Sequence, residues 1–524
     1  MRITHRFRPT LLATVFAASI AAAPAFAAFS YPGCPDVADK DFKSVMLFTN
    51  ATDPDTEEPL KMAFDMDAQG RVDVYFVQRF GLVRKYVAAT GKVVNLLKLN
   101  PPNTVSDGLI SIALDPGFKA NHWLYVYTTA KDDWRVVRYT LKGEALDSAS
   151  EKAILLVPSK RGTVHTGGGM QFDAEGNLYV NTAENGILWP SANTFDLRGK
   201  ILRVKPRPLP DGAAAPAPGS GSTYDIPAGN LFAPGTAKTR PEIYVMGTRN
   251  PYTLTLDPVR KAVTWGDVGP DMGGVTEEHD YATMPGNFGY PYWAGANTSI
   301  QGGGGTAEKP INPAAGDTAL KDLPAATPAL DPYNRAIAVT GPVYWYNPAL
   351  DSKVKFPPHF NGVWFVSDFG GGYFDAVVLD DKGTKILRRE KVLKQIFLNR
   401  PLDFQAGPDG AFYVVIYAGS RSTTKETGIM RIEYAGTCLP KDGPNALHPR
   451  ADLAAGMEID AAGISITGPG AHVVKILGLD GRLAALHMGS GPARYAFADL
   501  RRGGVYLLNA NRDGARVTRK ILVR

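Results

Sequence analysis

Cysteine is scarce in this chain: two in 524 residues, Cys34 and Cys438, very far apart. No C-x-x-C-H occurs, so the chain carries no covalent haem. Charged residues make up only 21%, and no basic run is interleaved with aromatics, which argues against nucleic acid as a partner. After residue 27 no stretch is apolar enough to cross a bilayer as a helix, so no transmembrane segment is expected. Long helical periodicity is also sparse. With 44% hydrophobic residues the chain is not compositionally disordered.

Glycine and proline are abundant, at 55 and 40 residues. Together with short alternating apolar stretches they favour an all-β, turn-rich protein. The N-terminus stands apart. "MRITHRFRP" is followed by "TLLATVFAASIAAAPAFA", which ends in the small-residue pattern Ala25-Phe26-Ala27. A basic start, a short apolar run and such a site read as an export signal over 1–27. Its removal takes away three arginines and no acid, leaving a formal charge of +3 from the +6 of the full chain. An exported chain is expected to be periplasmic or extracellular. There a Cys34–Cys438 disulfide is the natural expectation, with two free thiols as the alternative.

One pattern recurs: a short alternating strand, a turn rich in Asp, Pro or Gly, then a β-branched and aromatic strand. It appears at 63–77, 111–129, 170–184, 253–268 and 403–419, with a degenerate copy at 362–380. A further strand usually follows, as in "LVRKYVA", "RVVRYTL" and "GIMRIEY". About six repeats of two hairpins fit a six-bladed β-propeller over 28–438, with a β-sandwich as the alternative fold. The Pro/Gly-rich stretches 206–222 and 301–332 read as long loops between its strands. Cys34 precedes the first repeat and Cys438 follows the last, so a bridge would tie the N-terminus to the end of the ring. Residues 439–458 read as a linker, and 459–524 as a small C-terminal β-sandwich with turns at Asp480-Gly481, Gly503-Gly504 and Asp513-Gly514.

Three stretches could carry chemistry. In "GTVHTGGGMQF", His165 sits on a glycine-rich corner at a strand entrance. Glycines there would let a ligand approach the backbone, and an imidazole suits a general base near neutrality. The plainer reading is a loop histidine satisfied by a carbonyl. In "VMGTRNPYTL", Arg249 and Asn250 enter a strand with a cation and a planar amide, able to bind a carboxylate and to donate or accept. In "WGDVGPDMGGVTEEHDY", acids and the carbonyls near Gly269-Pro270 suit a hard cation such as Ca²⁺, although the D-x-D-x-D-G register is absent. The alternative there is a solvated acidic loop.

Taken in order, "VHTGGGMQFDAEGNLYV", "DLRGKILRVK", "YDIPAGNLFAPGTAKTRPEIYVMGTRNP", "WGDVGPD" and "GNFGYPYWAG" resemble the glucose/sorbosone dehydrogenase family over roughly 60–435. These are exported six-bladed propellers related to soluble quinoprotein sugar dehydrogenases. The C-terminal stretch resembles sorting or attachment modules of secreted bacterial proteins, which implies contact with a cell surface or secretion machinery.

The family resemblance implies pyrroloquinoline quinone (PQQ) over the central channel, with Ca²⁺ polarising its carbonyls. His165 matches the base that takes the proton from a sugar hydroxyl while hydride passes to the quinone. Arg249 and Asn250 match cofactor-binding residues, Arg249 also countering the charge of the reduced cofactor. Arg400 matches one of two arginines that grip its carboxylates. Gly269 and Pro270 match the carbonyl donors to the cofactor's Ca²⁺, and Glu278 a structural Ca²⁺ ligand. An external electron acceptor is implied. The chain departs from the pattern at Val164 (an acid), Gly370 (a lysine), Leu402 (the second arginine) and Ser106 (a glutamine), with Arg421 or Lys425 as substitute cations. The leading expectation is a PQQ- and Ca²⁺-dependent dehydrogenase of an aldose or related sugar. The alternatives are a non-catalytic propeller that binds carbohydrate or protein, and a Ca²⁺-dependent lactone hydrolase.

Overall fold

The structure is a computed structural model that describes residues 37–160, 164–270, 277–300, 304–334, 337–419, 423–439, 457–459, 463–467, 469–478, 482–498, 500–501, 504–512 and 515–523. The expected signal peptide, Cys34 and most of the expected linker lie outside the described residues.

Between Phe42 and Tyr434 the chain builds six antiparallel sheets of four strands, the third with short additional strands. Their innermost strands are Pro59–Met66, Leu109–Leu114, Met170–Phe172, Pro251–Asp257, Ala338–Tyr344 and Pro401–Ala406. Each touches the next, and the sixth touches the first, so they form a closed ring around a hub. In every sheet the first three strands run outward by antiparallel neighbours in chain order, as the repeated strand–turn–strand pattern dictates. The sixth contains Pro401–Ala406, Phe412–Ile416 and Gly428–Tyr434, and takes its outermost strand from the other end of the chain. Phe42–Thr49 pairs antiparallel with Gly428–Tyr434, Phe42 opposite Tyr434 and Thr49 opposite Gly428. This closing strand was not among the repeats read from the sequence.

Two other readings shift. The copy at 362–380 is the second and third strands of the fifth sheet, whose first strand is Ala338–Tyr344. Within 301–332, expected to be loop, Gly304–Thr306 pairs with Lys309–Ile311, and Asp331–Tyr333 begins as the outer strand of the fourth sheet.

Four innermost strands begin alike. The pairing register skips one residue just after Pro59, Leu109, Pro251 and Pro401, so Leu60, Ile110, Tyr252 and Leu402 occupy matching bulges. Proline is tolerated at a strand's first position, and a bulge there re-aims a side chain without ending the ladder. Packing between sheets is aromatic. Phe356, Phe365, Phe404 and Phe412 interlock with ring centroids 3.9–6.4 Å apart.

The C-terminal residues form a three-stranded sheet (Met457–Ile459, Gly463–Ile466, Ala493–Ala496) and a four-stranded one (Ala471–Gly478, Leu483–Ser490, Val505–Arg512, Ala515–Leu522). Ile464 and Ile466 from one sheet and Val474, Ile476 and Leu508 from the other share one buried core. No helix among the described residues is long and apolar enough to cross a membrane.

Ring closure rests on Phe42, whose ring lies 4.9 Å from Phe356 and 5.2 Å from Tyr434. Phe42→Ala is expected to cost about 3–5 kcal/mol, read as a lowered midpoint in denaturant unfolding with the slope unchanged.

Candidate active site

All of the expected site residues that are described, the cysteine apart, gather at one end of the ring. There the innermost strands begin and the second and third strands of each sheet connect. His165 precedes Met170–Phe172, Arg249-Asn250 precede Pro251–Asp257, and Arg400 precedes Pro401–Ala406. His165 and Arg400 hold left-handed φ of 68° and 57°, as do Asn185 and Ala418 at 64° and 62°. Such conformations cost about 1–3 kcal/mol each in side chains with a Cβ and cluster where function overrides stability.

The glycines of the corner do a different job from the one expected. A Cβ on Gly168 would stand 2.6 Å from the Tyr252 carbonyl and about 3 Å from its ring, and one on Gly169 would stand 2.2 Å from Leu254 Cβ. They let the third sheet press against the fourth rather than clearing space for a ligand.

His165 is not a loop residue resting on a carbonyl. Its Nδ1 is 2.7 Å from Oε1 of Glu184, which follows the third sheet's second strand. The Glu184 side chain is 3% exposed, and its other oxygen is buried with no hydrogen-bond partner among the described residues. A carboxylate on Nδ1 makes that nitrogen the N–H donor and leaves Nε2 with the lone pair. The acid that orients the imidazole is therefore 19 residues downstream, not at position 164. Glu184 also ties the two corners together: its amide donates to the Arg249 carbonyl (3.0 Å), and the Asn185 amide donates to the His165 carbonyl (3.1 Å).

The opposite side of that link is Asp267. Its carboxylate accepts the amides of Arg249 (2.9 Å) and Asn250 (2.6 Å), while Arg249 Nη1 donates to the Val268 carbonyl at 2.9 Å. Asn250 Oδ1 is buried without a hydrogen-bond donor among the described residues. Tyr290 completes the corner. Burial pushes its phenol up, Glu184 adds to that and Arg249 opposes it.

Asp267 also belongs to an acidic cluster. Ligand-capable oxygens of Asp267, Glu278 and Asp280 lie within 4.8 Å of one another, and all three residues are buried. Burial raises Asp267 to about 7, against the pull of two amides and Arg249. Glu278 is pushed up by burial and then by Asp267, and Asp280 by burial and then by Glu278 and Asp267. The Glu278 carboxylate accepts the Gly295 amide, and neither Asp280 oxygen has a donor in the described structure. Three dry carboxylates so close cannot all ionise unless a cation joins them, so the cluster is chemically suited to a hard divalent ion. The solvated acidic loop is thereby excluded for Glu278. The Gly269 amide points to Glu277, another acid that burial raises, to about 8.

Across the mouth, Arg400 stands 5.8 Å over the Phe369 ring and its carbonyl accepts the Tyr417 amide. Arg79 pairs with Glu58 at 2.5 Å, and both act on the Tyr252 phenol, as Tyr417 does. At two departures no cation appears: Gly370 donates its amide to Asp368, and Leu402 packs with apolar neighbours. The Ser106 carbonyl accepts the Thr166 hydroxyl. Lys425 is exposed in the turn before Gly428–Tyr434, and Arg421 lies outside the described residues.

A family model described as glucose/sorbosone dehydrogenase matches residues 56–423. The chain belongs to the glucose/sorbosone dehydrogenase family. Among curated relatives it is 34% identical to the HIPL2 protein of Arabidopsis thaliana over 134 residues, 25% of this chain and 19% of that protein, so it spans about a fifth of that relative's length. It is 25% identical to the aldose sugar dehydrogenase of Escherichia coli (strain K12) over 317 residues, 59% of this chain and 74% of the relative. The apo form of the soluble E. coli aldose sugar dehydrogenase superposes with a TM-score of 0.54 at 19% identity, covering 75% of this chain and 99% of that one. The PQQ-bound aldose sugar dehydrogenase of Streptomyces coelicolor does so with 0.51 at 21% identity, covering 75% and 98%. The shared fold is a β-propeller, and this member of the glucose/sorbosone dehydrogenase family has it.

Four residues of the site were not singled out in the sequence: Glu184, Asp267, Asp280 and Tyr290. Three of them fall inside quoted motifs, but only the closed ring reveals that they meet. Calorimetric titration of chelator-treated protein with Ca²⁺ is expected to give one saturable site, weakened at least about tenfold by Asp280→Asn.

Proposed function

We propose that this chain is an exported, PQQ- and Ca²⁺-dependent dehydrogenase that oxidises an aldose or related sugar hydroxyl, with His165 as the base. In this reading the six sheets are the blades of a six-bladed propeller spanning 28–438, stapled by a Cys34–Cys438 disulfide after removal of 1–27. Residues 439–458 link it to a C-terminal β-sandwich, 459–524. Cys438 is buried beside His359, at 4.0 Å from Nδ1, a dry setting that suits a bridge.

The observation that carries the reading is the His165–Glu184 pair set beside Arg249-Asn250. With Nδ1–H engaged by the carboxylate, Nε2 is free to accept a hydroxyl proton, and Glu184 stabilises the imidazolium that results. Arg249 and Arg400 bring positive charge to the mouth and favour an anionic ligand there. The buried acceptor on Asn250 suits a donor on ligand or substrate. These residues fit the cofactor, and PQQ when bound would supply a two-electron acceptor for the hydride. Electrons then leave to an external acceptor. Asp267, Glu278 and Asp280 would hold one Ca²⁺, and the carbonyls of Gly269 and Pro270 are proposed for the cofactor's own.

The absence of cations at Gly370 and Leu402 favours a second reading, a propeller that binds carbohydrate or protein without chemistry. A lactone hydrolase fits less well. It needs metal ligands converging on the hub, whereas the three carboxylates belong to the second and third strands of the fourth sheet, Ala262–Asp267 and Glu277–Ala282, rather than its innermost one.

Dye reduction by purified protein supplied with PQQ and Ca²⁺, across an aldose panel, tests the proposal. Saturable turnover is expected, reduced by about 10²–10⁴ in His165→Ala and by a smaller factor in Glu184→Gln, which keeps the shape but loses the charge. Failure of the wild-type protein to take up PQQ would leave the binding module as the better reading.

A further inference from the structure

Below the rim, one contact spans the hub between opposite sheets among the described residues. Lys61 on the innermost strand of the first sheet reaches Tyr252 on that of the fourth, the sheet directly opposite in a ring of six. Lys61 Nζ lies 3.5 Å from the centroid of the Tyr252 ring. The same nitrogen donates to the carbonyl of Leu402, on the sixth sheet, at 2.6 Å. The mouth therefore has a floor, and an amine is part of it.

That amine is poorly satisfied. Lys61 is 2% exposed, and of its three N–H donors one has a hydrogen-bond acceptor among the described residues. The nearby acid is Asp403, whose Oδ2 accepts the Met62 amide (3.0 Å) and Gln405 Nε2 (2.8 Å). No carboxylate lies within ion-pair distance of Nζ in the described structure. Burial lowers the amine to about 7, with Asp403 opposing the shift. A strand whose neighbouring positions hold Leu60 and Met62 would be more stable with an apolar residue at 61. An ammonium kept there is best explained by a negative group that meets it from the mouth.

We propose that Lys61 is the floor contact for an anionic, carboxylate-bearing planar ligand, standing in for the cation that Leu402 does not supply. Because Nζ sits on the carbonyl of residue 402 itself, the charge missing from that side chain is returned to the same place from another sheet. Arg79 acts on the same Tyr252 phenol, and Arg249 and Arg400 precede the innermost strands that carry Tyr252 and Leu402. This inference rests on the PQQ reading above and adds the residue that would bind the ligand's carboxylate.

The test compares PQQ with its trimethyl ester, whose carboxylates are neutral, by equilibrium binding to the full chain with Ca²⁺ present. Wild type is expected to prefer PQQ, and Lys61→Met to weaken PQQ by about 10–100-fold while the ester changes little. Lys61→Arg should recover most of the loss. Unchanged PQQ affinity in Lys61→Met, or equal weakening of both ligands, overturns the floor contact and leaves the dehydrogenase reading standing. A wild type that binds neither ligand overturns the dehydrogenase reading itself.

Folding of the variant is checked by thermal unfolding. The lysine's folded value of about 7 lies below its unfolded one of about 10.4, so its cost is complete below the folded value, nearly complete at pH 7, and gone above the higher one. Lys61→Met should accordingly melt higher than wild type at pH 7 and lose the advantage near pH 10.5. Lys61→Gln serves for the ligand comparison if the methionine variant does not fold.

Discussion

Closure of the ring is the constraint on which the rest depends. Six antiparallel sheets in a row would leave two open edges and no hub; pairing Phe42–Thr49 with Gly428–Tyr434 makes the last sheet from both ends of the chain. Once closed, every innermost strand starts at the same end of the ring. Residues near 165, 249 and 400 are then neighbours although the chain separates them by more than eighty residues. The bulges after Pro59, Pro251 and Pro401 act at that end, turning Tyr252 and Leu402 toward positions that a regular ladder would not give them.

Within the mouth, two carboxylates do the assembling. Glu184 bonds His165 through its side chain and Arg249 through its amide. Asp267 bonds the amides of Arg249 and Asn250 and faces Glu278 and Asp280. Arg249 is thus held from both sides, and the corner bearing His165 is coupled to the one suited to a cation. The two acids share a low-dielectric space, and Glu184 is among the charges that raise Asp267. The left-handed backbone at His165 and Arg400 fits the same picture: the chain is bent where the side chains must converge.

Much of the fold was legible because strands carry their own signal: alternation, aromatic content and Asp- or Gly-rich turns recur at each hairpin. Phe42–Thr49 was missed because it has no hairpin partner in sequence. Asp331–Tyr333 was missed because a proline and a short length conceal it inside a Pro/Gly-rich stretch. At the site, His165, Arg249 and Asn250 were legible from unusual residues at strand entrances. Glu184 and Asp267 were not, because a carboxylate at a strand's end looks the same whether it caps a turn or orients a base. The glycines beside His165 misled for a related reason. Close approach does require them, but the approaching group is Tyr252 of the next sheet.

Buried charge is paired at several places in the scaffold. Arg84 meets Asp53 at 2.6 Å, Arg260 meets Asp257 at 2.9 Å, and Arg389 bridges Asp331 and Asp375 between the fourth and fifth sheets at 2.5 and 2.6 Å. Those pairs compensate desolvation locally, and the Arg389 bridge fixes how its two sheets meet. At the mouth, among the described residues, Asp280 lacks a donor, one oxygen of Glu184 and the side-chain oxygen of Asn250 have no partner, and the Lys61 amine has one acceptor and a ring; away from it, Arg138 Nε and Asp375 Oδ1 are likewise buried without a partner. Acids gather on one side of the hub and an amine lies at its floor, so the local excess is of opposite sign at the two places. A protein selected for stability alone would pair or remove these groups. In the proposed reading a cation would complete the acidic patch and an anion the one at Lys61.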